Sequence, residues 1–204
     1  MDITIPFDHT AIQTLAELAL NDRVMAISEV GLDGLEGAPD TTLQEEVFLA
    51  SIQLAKNNSL PIIYHSRETY PRILDILASE GAQTVGGAAH YFQGDLETAQ
   101  RCIDLGFFIS LARPLLRMQD LQEVARKIPI EYIVLETDSY PQHFKKNRQS
   151  WTEPRHLAEV ALALAEIKDI PLEQVVQKTS NNILDMLGSR SKAIKRALEG
   201  TFPT

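Results

Sequence analysis

The 204-residue chain has a single cysteine, no excess of basic residues and no apolar run long enough to span a membrane. One cysteine excludes an intrachain disulfide and is typical of a reducing compartment, so we expect a cytoplasmic protein without a membrane segment. Cys102 follows the apolar stripe of a predicted helix, which indicates a small buried hydrophobe. With a formal net charge of −9, the chain has no global basic field for nucleic acids. Local groups or metal ions would have to hold any phosphate-bearing substrate.

Phosphate-binding glycine loops are also missing. No Gly-x-Gly-x-x-Gly or Walker-type loop follows any predicted strand, which weakens a nucleotide-binding open sheet. What the chain does have is an alternation of short β-branched runs with longer amphipathic ones. The predicted strands are Val24–Ile27, Pro61–Tyr64, Val85–Ala89, Phe107–Leu111 and Tyr132–Leu135. The helical patterns include one capped by Asp95, one at about Glu153–Lys168 and one at about Pro171–Leu187.

This βα alternation predicts an α/β fold with a parallel sheet covered by helices. A (β/α) barrel and an open doubly wound sheet are the two candidates. With 44% hydrophobic residues, the chain is predicted to form one domain over residues 1–188. Residues 189–204 form a basic tail, which we interpret as a solvated helix rather than a nucleic-acid patch.

Polar side chains follow the predicted strands at one structural point. Glu29, His65, His90 and Asp138 stand at the carboxyl ends of different strands, where α/β enzymes place their active sites. Imidazoles and carboxylates that converge on one rim form a metal-ligand set, and we expect one or two divalent ions (Mg, Mn or Zn).

Residues next to these ligands receive supporting roles. Glu136 points to the same side as Asp138 and is predicted to be a hydrogen-bonding support. Glu29 is predicted to end the first strand and Gly31 to turn the chain away. Asp33 is predicted to be a loop acid, and a supporting role for it stays open. Arg67 is a candidate phosphate contact, and a surface salt bridge explains it equally well.

Six motifs occur in order along the chain: AISEVGLDG, LPIIYHSRE, AAHYFQG, LGFFISLA, IPIEYIVLETDSYP and WTEPRHL. Together they resemble the TatD-related deoxyribonucleases, metal-dependent hydrolases with a TIM-barrel fold in the amidohydrolase superfamily. The resemblance extends to about Gly188. It implies that Glu29 bridges two metals, that His65 and His90 bind one of them, and that Asp138 serves the other.

The chain departs from the family pattern in one major respect. It has no His-x-His, the motif that carries two further metal ligands on the family's first strand. About five of the eight barrel strands are expected, which would leave two sheet edges that a second copy could cover in a homo-oligomer. A missing N-terminal region is one hypothesis, and an evolved partial barrel is the other. In either case we expect one firm metal site from Glu29, His65 and His90, one weakened site, and low or absent activity.

Three functions remain open from the sequence. The leading one is a divalent-metal-dependent hydrolase that cleaves phosphodiester bonds in DNA, in which Glu29 bridges the metals and Asp138 takes a proton from water. The second is another amidohydrolase-type hydrolase that acts on an amide, a lactone or a small phosphoester. The third is a non-catalytic homologue that serves as a binding or assembly protein.

Overall fold

A computed structural model describes residues 9–139, 151–192 and 194–195 of the chain. The five strands are β1 (Ile27–Asp33), β2 (Ile62–Arg67), β3 (Gly87–Ala89), β4 (Phe107–Leu111) and β5 (Ile133–Leu135). The α-helices are α1 (His9–Ala19), α2 (Thr41–Asn58), α3 (Tyr70–Ser79), α4 (Leu96–Asp104), α5 (Gln119–Lys127), α6 (Leu157–Lys168) and α7 (Leu172–Met186). Among the described residues, no helix has the length and apolarity needed to cross a membrane.

The strands form one sheet in the order β1-β2-β3-β4-β5, and every neighbouring pair is parallel. This confirms the predicted α/β fold with five parallel strands. Helices connect the strands, as parallel pairing requires. β1 and β5 are the outer strands of the described sheet. The described sheet therefore has the two edges that the sequence analysis expected. The homo-oligomer that would cover them stays a prediction.

The first strand lies later in the chain than predicted. It runs from Ile27 to Asp33 rather than from Val24 to Ile27, because its pairing with β2 continues to the pair Asp33–Arg67. Glu29 therefore lies inside the strand, and the predicted turn at Gly31 is wrong. Gly31 is instead required by a close approach of two backbones. It has φ +148°, and a Cβ atom there would lie 2.0 Å from the carbonyl oxygen of His65.

The core lies between the sheet and its helices. Phe48 and Ile52 of α2 and Tyr64 of β2 are completely buried in it. The Tyr64 ring packs edge-on against Phe107, with ring centroids 5.4 Å apart. The buried Cys102 of α4 lies in the same layer, with its Sγ 3.0 Å from the hydroxyl oxygen of Tyr64. This confirms Cys102 as a buried core residue.

Helix boundaries follow local signals in the sequence. Asp95 caps α4 as predicted, because its side chain accepts the backbone N–H of Thr98 at 2.8 Å. The two last predicted helices occur as α6 and α7, with a short 3₁₀ turn at Pro154–His156 before α6. Of the predicted basic tail, the structure describes a 3₁₀ turn at Gly188–Arg190 and a few residues after it. Residues 193 and 196–204 lie outside the described residues.

Candidate metal centre

Glu29 reaches the site through an irregularity in β1. Ser28 pairs with Ile63 and Val30 with Tyr64, so Glu29 is an extra residue with no partner position on β2. A bulge of this kind redirects a side chain that regular alternation would place elsewhere. The Glu29 side chain is 38% exposed. The bulge therefore leaves the Glu29 carboxylate partly exposed to solvent.

His90 and Glu136 follow directly after β3 and β5, two strands apart in the sheet. His90 is held by its backbone, which donates to the carbonyl of Tyr64 at 2.9 Å. Its Nδ1 lies 2.6 Å from Oε2 of Glu136, and the backbone N–H of Tyr91 donates to Oε1 at 2.5 Å. Glu136 thus contacts both the ring of His90 and the loop that carries it. The structure places Glu136 in the hydrogen-bonding position that the sequence analysis predicted.

Three side chains converge here, from the bulge within β1 and from the chain segments that follow β3 and β5. One ligand atom from each of Glu29, His90 and Asp138 lies within 4.8 Å of the others. His90 Nε2 is 3.0 Å from Glu29 Oε1 and 4.0 Å from Asp138 Oδ1. The imidazole is 8% exposed, whereas the carboxylates are more than a third exposed. One buried nitrogen and two accessible carboxylates therefore share one small space.

The charges of these groups depend on each other. The hydrogen bond from His90 lowers the pKa of Glu29, although burial of the carboxyl acts in the opposite direction. Burial raises the pKa of Asp138, and the neighbouring Glu29 and Glu136 add to that effect while His90 opposes it. Burial alone would lower the pKa of His90, but its hydrogen bonds to Glu136 and Glu29 raise it to about 10. A proton on His90 therefore stabilises the cluster.

A divalent cation fits this donor set. Imidazole nitrogen and carboxylate oxygen are the ligands that zinc and manganese accept, and carboxylates also suit magnesium. A cation here would replace the proton of His90 as the positive charge between Glu29 and Asp138. Glu136 would remain bonded to Nδ1 and leave Nε2 for the cation, an arrangement common around metal-binding histidines.

His65 lies beside this three-residue cluster and lines the same cleft as His90. It is in β2 rather than at its end, and its Nε2 is 3.2 Å from Oδ2 of Asp33. The sequence analysis grouped His65 with Glu29 and His90, whereas within the described residues the closest group is completed by Asp138. Which of these side chains bind a cation stays a prediction.

Asp33 is the residue that the sequence analysis missed. It was predicted to be a loop acid, but it is the last residue of β1, and its side chain is only 15% exposed. The same Oδ2 atom lies 3.5 Å from NH1 of Arg67, so the salt bridge considered for Arg67 is present. The alternation of buried Val30 and Leu32 with Gly31 and Asp33 was the available signal. This alternation can be recognised only when β1 is taken to continue past Glu29.

A cleft of about 330 Å³ opens beside the cluster. Its walls include both histidines, the Arg67 guanidinium and the side chains of Tyr70 and Gln93. The phenol of Tyr70 is neutral, because burial raises its pKa far above the usual value. Its hydroxyl oxygen accepts the backbone N–H of Gln93 at 3.3 Å and so holds one wall of the cleft. The cleft combines a metal-type donor set with one cationic side chain.

Comparison with known proteins places this site in context. Residues 4–188 match the family model described as TatD related DNase. The uncharacterised metal-dependent hydrolase YabD of Bacillus subtilis is 35% identical over 173 residues, which are 82% of this chain and 67% of that protein. The human deoxyribonuclease TATDN3 is 32% identical over 169 residues, 81% of this chain and 60% of the human protein.

A solved structure agrees with these matches. The TatD homologue YJJV of Escherichia coli K12 superposes with a TM-score of 0.79 at 26% identity, over 88% of this chain and 71% of that one. An uncharacterised amidohydrolase of Saccharomyces cerevisiae shares the fold at 17% identity and a TM-score of 0.72. This chain spans about two thirds of the length of the curated relatives that it matches.

Proposed function

The chain belongs to the TatD related DNase family of metal-dependent hydrolases, and from this premise we propose that it hydrolyses phosphodiester bonds in DNA with the help of a divalent cation. One observation carries the proposal: Glu29 within β1, His90 after β3 and Asp138 after β5 bring ligand atoms within 4.8 Å of one another. Carboxylates packed this closely repel each other, so an arrangement with two of them needs a positive partner. A cation supplies that partner when it replaces the proton of His90.

The residues of the site divide the chemistry among them. Glu29, His90 and Asp138 would hold the cation, and we propose His65 as a further ligand. When bound, a divalent cation supplies Lewis-acid polarisation of the scissile group and acidifies a water molecule. Asp138, whose pKa is raised by burial, accepts the proton of the attacking water. Arg67, which is 54% exposed at the cleft, contacts the phosphate.

DNA is proposed as the substrate on two grounds. The human relative named a deoxyribonuclease shares 32% identity with this chain, and the cleft offers a guanidinium beside the donor set. The chain's net charge of −9 gives no basic field for long-range attraction. We therefore propose weak, salt-sensitive DNA binding, in which the cation and Arg67 supply the local positive charge.

The test measures metal content and hydrolysis on the same protein. Purified chain is loaded with Mn²⁺ or Mg²⁺, and cleavage is followed on single-stranded DNA, a small phosphodiester, an amide and a lactone. We expect one firmly bound cation per chain and slow cleavage of DNA, below that of the human deoxyribonuclease TATDN3 assayed beside it. Glu29→Ala should lower metal binding and cleavage at least tenfold, while Glu36→Ala, an exposed acid beyond β1, serves as the control.

Each other outcome identifies an alternative. Cleavage of the amide or the lactone alone would favour the second type of hydrolase, because the same donor set activates water toward carbonyl centres. A bound cation with no cleavage of any substrate would favour a non-catalytic binding protein. Two bound cations would show that the second site obtains ligands without a His-x-His motif.

A further inference from the structure

Asp33 is held more firmly than a loop acid would be. Its Oδ1 accepts the backbone N–H of Leu35 at 3.0 Å. The side chain of Gln44, on α2, bonds to both backbone groups of Asp33: Oε1 accepts its N–H at 2.7 Å, and Nε2 donates to its carbonyl at 3.1 Å. The two bonds of Gln44 hold the backbone of Asp33, and the bond from Leu35 holds one oxygen of its carboxylate. Its second oxygen, Oδ2, is therefore fixed toward β2.

Oδ2 of Asp33 faces two polar side chains of β2, His65 and Arg67. His65 Nε2 lies at 3.2 Å, and Arg67 NH1 lies at 3.5 Å. Strand register explains both contacts, because Asp33 pairs with Arg67 and Gly31 pairs with His65. The contact to His65 is the shorter one and involves the less exposed side chain, 28% against 54% for Arg67. It is therefore the contact with the greater energetic consequence.

The chemistry of this contact decides which nitrogen of His65 carries hydrogen. An ionised carboxylate only accepts hydrogen bonds, so Nε2 of His65 must be the donor. A neutral imidazole with its hydrogen on Nε2 has its lone pair on Nδ1. The contact thus selects one tautomer and fixes the plane of the ring. His65 lines the same cleft as His90, so its ring lies beside the candidate metal centre.

We propose that Asp33 is a positioning residue of the metal centre, which accepts the Nε2 hydrogen of His65 and thereby makes Nδ1 the nitrogen that His65 offers to a cation. This proposal rests on the proposed function, since it takes the site to bind a divalent cation. The two histidines then have opposite arrangements. His90 is held at Nδ1 by Glu136 and offers Nε2, whereas His65 is held at Nε2 by Asp33 and offers Nδ1.

Asp33→Asn is the informative variant, because it keeps the size of the side chain and can keep its acceptor on Leu35. Its amide nitrogen would then face His65 as a donor, which favours hydrogen on Nδ1 and removes the lone pair from that nitrogen. Asp33→Ala removes the contact altogether. Asp75→Asn serves as the control, since Asp75 forms an exposed pair with Arg101 at 2.8 Å and has the same chemistry away from the cleft.

Two measurements test the proposal on the full chain. The first is the ¹H–¹⁵N spectrum of the imidazoles, recorded without metal at about pH 8.5. Wild type should show His65 with hydrogen on Nε2, and Asp33→Asn should shift it toward Nδ1 while His90 stays unchanged. The second is titration with Zn²⁺, where both Asp33 variants should bind roughly 10- to 100-fold more weakly and Asp75→Asn should bind like wild type.

An unchanged His65 tautomer, or an unchanged Zn²⁺ affinity in a folded Asp33→Asn protein, would overturn the positioning role. If Asp33→Ala alone fails to fold, the folded Asp33→Asn protein decides the outcome. Wild type that binds Zn²⁺ but hydrolyses no substrate contradicts the proposed function, while the tautomer and affinity results still decide the role of Asp33. Wild type that binds no Zn²⁺ overturns both proposals.

Discussion

Nδ1 of His90 and Oε2 of Glu136 lie 2.6 Å apart and join the chain after β3 to the chain after β5. β4 separates these two strands in the sheet, so the bond links segments that are far apart in sequence. Through the second oxygen of the carboxylate, Glu136 also binds the backbone N–H of Tyr91. The bond fixes both the ring of His90 and the loop around it. The first prediction concerns this pair.

Replacing Glu136 by glutamine should weaken metal binding without unfolding the protein. The amide keeps the shape of the side chain but carries no charge. Its NH₂ group would face either Nδ1 of His90 or the backbone N–H of Tyr91, which are both donors. We expect the affinity for Mn²⁺, measured by titration calorimetry, to fall roughly 10- to 100-fold. Glu131→Gln is the matched control, because its pair with Lys178 at 3.1 Å is exposed. Equal affinities in the two variants would contradict the supporting role of Glu136.

Metal binding should release a proton from His90. Because the hydrogen bonds to Glu136 and Glu29 outweigh the effect of burial, the pKa of His90 is about 10 in the metal-free protein. The ring is therefore protonated at pH 7, and a cation must displace that proton to reach Nε2. The apparent affinity should rise about tenfold per pH unit below pH 10. Calorimetry at pH 7 in two buffers of different ionisation enthalpy measures the proton released, and no release would contradict the prediction.

The same raised pKa predicts how the metal-free protein responds to alkali. A histidine whose pKa is higher in the folded than in the unfolded state stabilises the fold fully below the unfolded value of about 6.5. That contribution is lost as the pH rises from there through about 10. Urea midpoints of the metal-free protein should therefore decrease across this range. His90→Gln should flatten the decrease, and a decrease of the same size in that variant would assign it to other groups.

Gly31→Ala should destabilise the fold strongly. The new Cβ would meet the His65 carbonyl oxygen at 2.0 Å, at a φ of +148° that L residues rarely adopt. We expect a loss of more than about 2 kcal/mol in the free energy of unfolding, measured by urea denaturation. Gly37→Ala is the control, because Gly37 also has positive φ, +90°, but no neighbouring atom lies within 4 Å of the added carbon. A similar loss in both variants would show that φ alone, not the close approach to β2, sets the cost.

The thiol of Cys102 should be inert in the folded protein. Burial raises its pKa to about 11, although the hydrogen bond to Tyr64 acts in the opposite direction. At pH 8 the thiol is therefore neutral as well as inaccessible, and only the thiolate reacts. We expect modification by a disulfide reagent to be at least a hundredfold slower than in 8 M urea. Rapid modification under native conditions would contradict the packing of α4 on the sheet.

Local signals explain what could be predicted. β4 occurs at Phe107–Leu111 as predicted, because a short and mostly apolar run between two helical patterns has few other interpretations. The cap at Asp95 follows from residues next to each other in the chain. Glu136 was predicted to be a hydrogen-bonding support because it lies two residues before Asp138 and therefore points to the same side of the strand. In each case the chemistry that decides the structure lies within a few residues.

Errors arose where distant segments decide the outcome. Glu29 was predicted to end its strand because a charged residue interrupts an apolar run, but pairing with β2 continues to Asp33. The contact between Asp33 and His65 depends on that register, and register is a property of two strands together. The position of His65 relative to Glu29, His90 and Asp138 likewise depends on how four strands lie in the sheet, and its role as a ligand stays a prediction.

By itself, the sequence determined the layered α/β fold, the carboxyl ends of the strands as the place of the site, and the set of residue types that suits a divalent cation. Periodicity and residue chemistry suffice for these, because they act along the chain. Only the tertiary structure showed the bulge in β1 at Glu29, the close approach of two backbones at Gly31, and the hydrogen bond between His65 and Asp33. These depend on distances of a few ångströms between segments that meet only when the sheet has formed.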